Sequence, residues 1–405
     1  MAPRARTAAL AFALALGACS RGGGGAGGTG GAGLSPSASV ALASDDEAPA
    51  AGPARRAEGA PRAGERVSVP GGSFVAGSTP GDEGRDPATE PVLLSVDLGP
   101  FEIDRLPYPN DPAKPPRTGV GREEARSLCQ ERGARLCTEL EWERACKGPG
   151  GDAFAAGAAW DATCAREPNA CASGFGVLAL GGALREWTAS DFFGPGRDEA
   201  PRAVARGAGP SAEGPDHRCA RRAPLDATSK ASDLGFRCCK GPPNAAAVPA
   251  FRAPDNAFSR LPPDAAKAAA LLASSPKLAP YAGGISFYPE QEAVKEVLAR
   301  GKADAKPGPA LTTSPLLWSP APNEELVVLA VKAQGAAVVA AFYKLPGERH
   351  KLASSLVLKD EAGPVVLAFS NFNRRRITWT TCWDCPGEQG AVEYREGRRV
   401  VVVHN

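Results

Sequence analysis

Hydrophobic and polar positions change their pattern several times along the chain. An apolar run, Ala8–Leu16, follows Arg4 and Arg6 and is too short to cross a bilayer as a permanent helix. From residue 20 to about 66, glycine runs give way to Ala, Ser, Pro and scattered charge. So little apolar content cannot offset ordering entropy, which predicts a flexible tether. Strand-like alternation begins at Val67–Val69, meets the turn signal Pro70-Gly71-Gly72, and resumes at Phe74–Gly77 and Val92–Leu98. In GREEARSLCQERG, Ala125, Leu128 and Cys129 fall at helical spacing. A second helix is predicted in ARLCTELEWERACKG, with Thr138 as N-cap and Glu141 completing a capping box.

The second half has a different texture. Residues 242–261 are rich in Pro and Ala and read as a linker. PPDAAKAAALLASS and EQEAVKEVLARG carry helical patterns. From Glu325 the period becomes strand-like through ELVVLAVKA, AAVVAAFYKL, LASSLVLK, PVVLAFSN, ITWTTCWDC, AVEYREG and RRVVVVH. Turn residues separate these runs, predicting an antiparallel meander of about six or seven short strands. The expected division is a signal segment 1–18, a tether 19–66, a first domain 67–241, a linker 242–261 and a β-rich domain 262–405. The class is α+β.

Composition narrows the function. A net charge of +2 over 405 residues offers no nucleic-acid surface, and Arg374-Arg375-Arg376 reads as a solvated strand end. His217, His350 and His404, the chain's three histidines, stand in no ligand spacing, which excludes a centre built on several imidazoles and marks each as a surface residue. The segment Leu16-Gly17-Ala18-Cys19 resembles the lipobox of bacterial lipoproteins. That resemblance implies cleavage before Cys19, acylation of its thiol and new terminus, and a multi-chain lipid anchor. With Ser20 next, it implies the outer membrane. Eleven cysteines less Cys19 leave ten, an even number for an exported, disulfide-forming chain. Cys382 and Cys385 form a CxxC that fits a redox pair, half a zinc site or a local disulfide. Its β-rich setting favours the last.

The first domain resembles the sulfatase-modifying-factor, or formylglycine-generating-enzyme, family. The resemblance rests on Pro70-Gly71-Gly72-Ser73-Phe74, Pro100-Phe101-Glu102-Ile103-Asp104, Arg135-Leu136-Cys137-Thr138-Glu139-Leu140-Glu141-Trp142-Glu143, Glu186-Trp187-Thr188, a degraded Arg206-Gly207-Ala208-Gly209, and Gly235-Phe236-Arg237-Cys238. It implies a compact, irregular fold related to C-type lectins. Catalytic members carry two redox-active, copper-binding cysteines ten and five residues before the cysteine of the RCAxR motif, here Cys219. Gly209 and Gly214 stand at those places, and no cysteine lies between Cys171 and Cys219. Without thiolates there is no soft copper site.

The resemblance also implies bridges Cys129–Cys238 and Cys146–Cys219. Cys137 and Cys239 are then left as a further pair, the alternative being a strained vicinal Cys238–Cys239 bond. Cys164 and Cys171 could close a small loop. A family calcium site falls on Gly182–Trp187, where Glu186 is the candidate ligand but Ala183 replaces an asparagine. Glu186 could instead pair with Arg185 or another arginine. The acidic stretch Asp82, Glu83, Asp86 and Glu90 reads as a solvated loop. The expected function is a non-catalytic, membrane-tethered binding or scaffold module without copper, whose partner is an envelope protein or a glycan. The alternative is a protein-modifying oxidase acting on cysteine.

Overall fold

The computed structural model describes residues 54–194, 200–251, 258–302, 310–370, 373–385, 388–395 and 399–404. The signal segment, Cys19 and most of the tether lie outside the described residues.

The first domain is built on two small sheets and two helices. One sheet places Phe101–Asp104 between Arg66–Val69 and Cys238–Lys240, with Arg135–Leu136 at the far edge, all antiparallel. The other runs Arg222–Leu225, Arg202–Arg206, Arg185–Phe192, Leu234–Phe236, its last pair parallel. Helix α1 spans Arg122–Gln130 and helix α2 spans Glu139–Lys147. The α2 start carries the capping box read from sequence: Glu141 N donates to Thr138 Oγ1 and Thr138 N donates to Glu141 Oε2. The α2 face toward the chain's start clamps the hairpin Gly72–Ala76/Leu94–Leu98. Arg144 donates to the carbonyls of Pro70, Gly72 and Ser73, and Lys147 to those of Val75 and Gly77.

Disulfides tie these layers together. Cys238 pairs with Leu136 and Cys239 with Arg135 in the ladder, so the two neighbouring cysteines face opposite sides of the sheet. Cys238 bonds Cys129 on α1 within one core cluster, and Cys239 bonds Cys137 within the other. Cys146 on α2 bonds Cys219, and Cys164 bonds Cys171. Strand alternation thus explains why adjacent cysteines join different partners.

Two boundary readings need correction. Residues 54–65, assigned by composition to the tether, run along the first domain: Ala57 N donates to Ala170 O, Arg55 N to Ala156 O, and Glu65 accepts from Arg105. Residues 242–251, read as linker, also pack on this domain. Val248 and Phe251 are buried in its core, and Asn244 bonds Glu141 and the backbone of Gly99. The apolar pair hidden in a Pro/Ala stretch overrides the stretch's overall composition.

The seven runs read from Glu325 onward each form a strand, and among the described residues three further strands precede them, so that the second domain holds two antiparallel five-stranded sheets rather than one meander. The first contains Phe258–Arg260, Leu316–Ala321, Glu324–Ala333, Ala336–Leu345 and Arg349–Lys359. The second contains Ala310–Thr312, Val366–Ser370, Asn373–Thr380, Gln389–Arg395 and Arg399–His404. The long runs ELVVLAVKA and AAVVAAFYKL are apolar at nearly every position because both faces are covered. Leu326, Val328, Val339 and Ala341 face the second sheet, whereas Leu329, Val331, Val338 and Phe342 face Ala268 and Leu272 of the helix Ala265–Ala273. The three-residue strands Phe258–Arg260 and Ala310–Thr312 carry too few residues to show a period, which is why the sequence pattern does not reveal them.

The acidic loop after Ser78 is a docking element. Arg85 is buried and donates through Nε to buried Glu324 of the second domain at 2.8 Å, and through Nη1 to Ser78 Oγ at 2.7 Å. Gly81 lies under the ring of Tyr343, where an added Cβ would sit 3.0 Å from the ring edge. At the rim Lys351 meets Asp82 and Arg399 meets Glu83. Removing one partner of a buried ion pair strands the other charge. Arg85→Met is therefore expected to lower stability by about 3–5 kcal/mol in denaturant unfolding, with Glu324→Gln in the same chain recovering part of the loss. A loss below about 0.5 kcal/mol, the scale of an ordinary surface change, would mean that the pair does not hold the domains together.

Candidate functional site

Helix α2 puts three buried glutamates beside the loops that lead to the closing cysteine motif. Glu139 accepts two bonds from Arg222, at 2.6 and 2.8 Å. Glu143 accepts from Arg206 at 2.6 Å and from Gly77 N, and lies 3.0 Å from Lys147. Glu141 is held by both terminal nitrogens of Arg135 at 2.8 Å. Burial alone would raise the Glu141 carboxyl, but Arg135, with the Thr138 amide, holds it below its ordinary value. Glu90 behaves likewise. Burial is outweighed by the Arg218 guanidinium, which bonds it at 2.7 and 2.9 Å, and the net direction is down. Each of these carboxylates is therefore a structural anion that holds an arginine.

Glu186, the calcium candidate, is engaged in the same way. Its Oε2 accepts from Arg237 Nε at 2.6 Å and Trp142 Nε1 at 2.8 Å, and its Oε1 accepts from Arg237 Nη2 at 2.7 Å. A guanidinium thus occupies the carboxylate that a hard cation would need, and calcium wants six to eight oxygens. Neighbouring Arg185 turns to Asp233, making two bonds at 2.6 and 2.8 Å that hold the Asp233 carboxyl below its usual range. Among the described residues no cluster of His, Cys, Asp and Glu has the makings of a metal site. In this stretch Asp82 and Glu83 meet Lys351 and Arg399 of the second domain, Glu90 is buried against Arg218, and Asp86 accepts locally from Ala88 N. The stretch is not a solvated loop.

The two places where the resemblance puts redox cysteines are filled by other side chains. A Cβ at Gly209 would stand 2.9 Å from Asp233 Oδ2, the carboxylate fixed by Arg185. A Cβ at Gly214 would stand 2.9 Å from Trp160 Cδ1. Trp160 is itself pinned. Its indole stacks on His217, with centroids 3.9 Å apart and planes 9° from parallel, and also packs on Phe154. His217 is buried, contrary to its reading as a surface histidine, and its two ring nitrogens lie 2.8 Å from Gly181 O and 3.2 Å from Ala212 O. The cleft alongside, lined by Phe154, Trp160, Cys164, Cys171 and Leu180, encloses only about 10 Å³, room for about one water.

Trp160, His217 and Asp233 escape a motif search because none belongs to a recognisable string. The glycines opposite them were the available signal, since a residue without a Cβ leaves space that a neighbour can take. Cys382 and Cys385 lie in the second domain with Cα atoms 5.8 Å apart and are bonded to each other. Overpacking of this kind typically costs about 1–3 kcal/mol, so Gly214→Cys is expected to destabilise the chain by that amount in thermal unfolding. The penalty should shrink when Trp160→Ala is added. An equal penalty in both backgrounds would show that Trp160 does not fill the place.

No curated protein matches the chain. Several solved structures are similar to it. PvdO from Pseudomonas aeruginosa is 20% identical, with 43% of this chain and 93% of that one covered, at a TM-score of 0.36. Treponema denticola variable protein 1 is 15% identical, covering 44% and 95%, with a TM-score of 0.33. CarF is 17% identical, covering 44% and 97%, also at 0.33. The family described as the sulfatase-modifying factor enzyme 1-like domain matches residues 107–242, the segment that holds α1, α2, the arginine pairs of Glu139, Glu141, Glu143 and Glu186, and both Gly209 and Gly214. Over those residues the chain carries a sulfatase-modifying factor enzyme 1-like domain.

Proposed function

We propose that the chain is a non-catalytic binding or scaffold protein that uses its sulfatase-modifying factor-like domain as a disulfide-braced recognition surface. One observation carries this reading. The places of the two redox cysteines are Gly209 and Gly214, and Asp233 and Trp160 stand where the cysteine side chains would project. An oxidase of this type needs a thiol pair to hold copper and to meet the substrate cysteine, and a filled site offers neither the ligands nor the space. Calcium plays no part at Glu186 in this reading, because Arg237 and Trp142 use its oxygens.

The partner is an envelope protein or a glycan, recognised by loops that the bridges hold in fixed shapes. Attachment is through lipid at Cys19, supported by Leu16-Gly17-Ala18-Cys19 and the short apolar run before it. The location that follows is the bacterial envelope, at the outer membrane. No helix among the described residues is long and apolar enough to cross a membrane.

Two measurements test the reading. With copper, oxygen and a peptide carrying Cys-x-Pro-x-Arg, the purified chain should form no aldehyde above the no-protein control in mass spectrometry. Aldehyde formation would return the domain to the oxidases. The mature N-terminus should map to an acylated Cys19, and Cys19→Ser should release the protein from the membrane fraction or leave its signal uncut. A different first residue would remove the anchor from the account.

A further inference from the structure

One disulfide differs from its neighbours in every respect that governs reactivity. Cys129–Cys238, Cys137–Cys239 and Cys146–Cys219 join residues 109, 102 and 73 positions apart, and all six cysteines are at most 1% exposed. Cys164–Cys171 joins residues seven apart; both are largely buried, at 6% and 5% exposed, and line the cleft beside Trp160. A bridge closing so small a loop stabilises the fold roughly half as much as each long-range bridge, since the stabilisation grows with loop length.

A cation is fixed at one of its sulfurs. Arg56 Nη1 lies 3.5 Å from Cys171 Sγ, and Arg56 Nη2 donates to Asp161 Oδ2 at 3.0 Å. Backbone pairing sets this placement: Arg56 and Cys171 face each other in an antiparallel bridge, flanked by Ala57 N to Ala170 O and Ala172 N to Arg55 O. Asp161 also accepts from Thr163 N, and that bond, with the Thr163 side chain and Arg56, holds its carboxyl below the usual range. It therefore stays ionised and anchors the guanidinium. A guanidinium against a sulfur favours the thiolate, and a stabilised thiolate leaves faster in exchange.

We propose that Cys164–Cys171 is an exchange-active disulfide that accepts two electrons from a partner dithiol. The partner's first thiolate attacks Cys164 Sγ, forming a partner–Cys164 mixed disulfide. The Cys164–Cys171 bond breaks, and its electron pair goes to Cys171, whose thiolate faces Arg56. The partner's second thiol loses its proton and attacks its own sulfur in the mixed disulfide, expelling Cys164 as thiolate. The partner leaves oxidised to a disulfide. The two protons it gave up are taken up by Cys164 and Cys171, or released to solvent where a thiolate persists. The six cysteines of the long-range bridges, at most 1% exposed, remain as structural crosslinks. This activity is separate from formylglycine formation and does not depend on the reading of Gly209 and Gly214.

The test uses the oxidised full chain under native conditions, with dithiothreitol as the dithiol, acid quenching, alkylation and peptide mapping. Cys164 and Cys171 should be labelled at least about tenfold faster than the six cysteines of the long bridges, as expected of a less deeply buried bridge with a stabilised leaving thiolate. Arg56→Gln should slow that labelling several-fold while Arg56→Lys largely preserves it, with unchanged circular dichroism showing that both variants fold. Labelling of Cys164 and Cys171 no faster than the long bridges would overturn the proposal. So would equal rates in Arg56→Gln and the parent chain.

Discussion

The interaction on which the first domain depends is the pairing of buried carboxylates with arginines brought from distant parts of the chain. Helix α2 supplies Glu139, Glu141 and Glu143, and their partners are Arg222, Arg135 and Arg206. Glu186 and Arg237 close a fourth pair, and Glu90 and Arg218 a fifth. An unpaired buried charge costs several kcal/mol, whereas a well-bonded pair roughly offsets its own desolvation. The lattice therefore adds little net stability when complete and penalises every incomplete arrangement. Its value is specificity in a domain with short strands and much loop. The disulfides act on the other side of the balance by restricting the unfolded chain.

The same lattice explains why neighbouring side chains can fill the redox places. Asp233 is fixed against Gly209 by Arg185, which is free to do so because Glu186 is held by Arg237. Trp160 is fixed against Gly214 by stacking on His217, whose ring nitrogens lie 2.8 and 3.2 Å from the carbonyls of Gly181 and Ala212. Arg218, adjacent to His217 in sequence, grips Glu90, and Ser78 links Glu90 to Arg85 and so to Glu324 in the second domain. The site region and the domain junction are thus joined by one chain of buried polar contacts.

Elements with a strong local signal were legible in the sequence. The capping box at Thr138, the helical spacing around Ala125 and Cys129, and the apolar runs of Glu324–Ala333 and Ala336–Leu345 correspond to elements of the fold. What local pattern could not reveal was anything decided by pairing at a distance. Val248 and Phe251 look like incidental apolar residues in a linker until the core that receives them exists. His217 reads as a surface residue because its burial depends on Trp160, 57 positions away. Glu186 sits in a string that implies calcium, and only the fold shows Arg237 occupying it. Asp82, Glu83 and Arg85 form a hydrophilic loop by composition, yet their partners lie in another domain.

The central proposal is that Asp233 and Trp160 stand at the two places, Gly209 and Gly214, where the family resemblance puts a redox cysteine pair. Crystals grown under reducing conditions and soaked in cuprous ion, with anomalous diffraction collected at the copper edge, test it most directly. The account predicts the Trp160 indole over Gly214 and stacked on His217, Asp233 bonded to Arg185 beside Gly209, and no copper peak in that region. An anomalous peak there, with the indole swung away from Gly214, would contradict it.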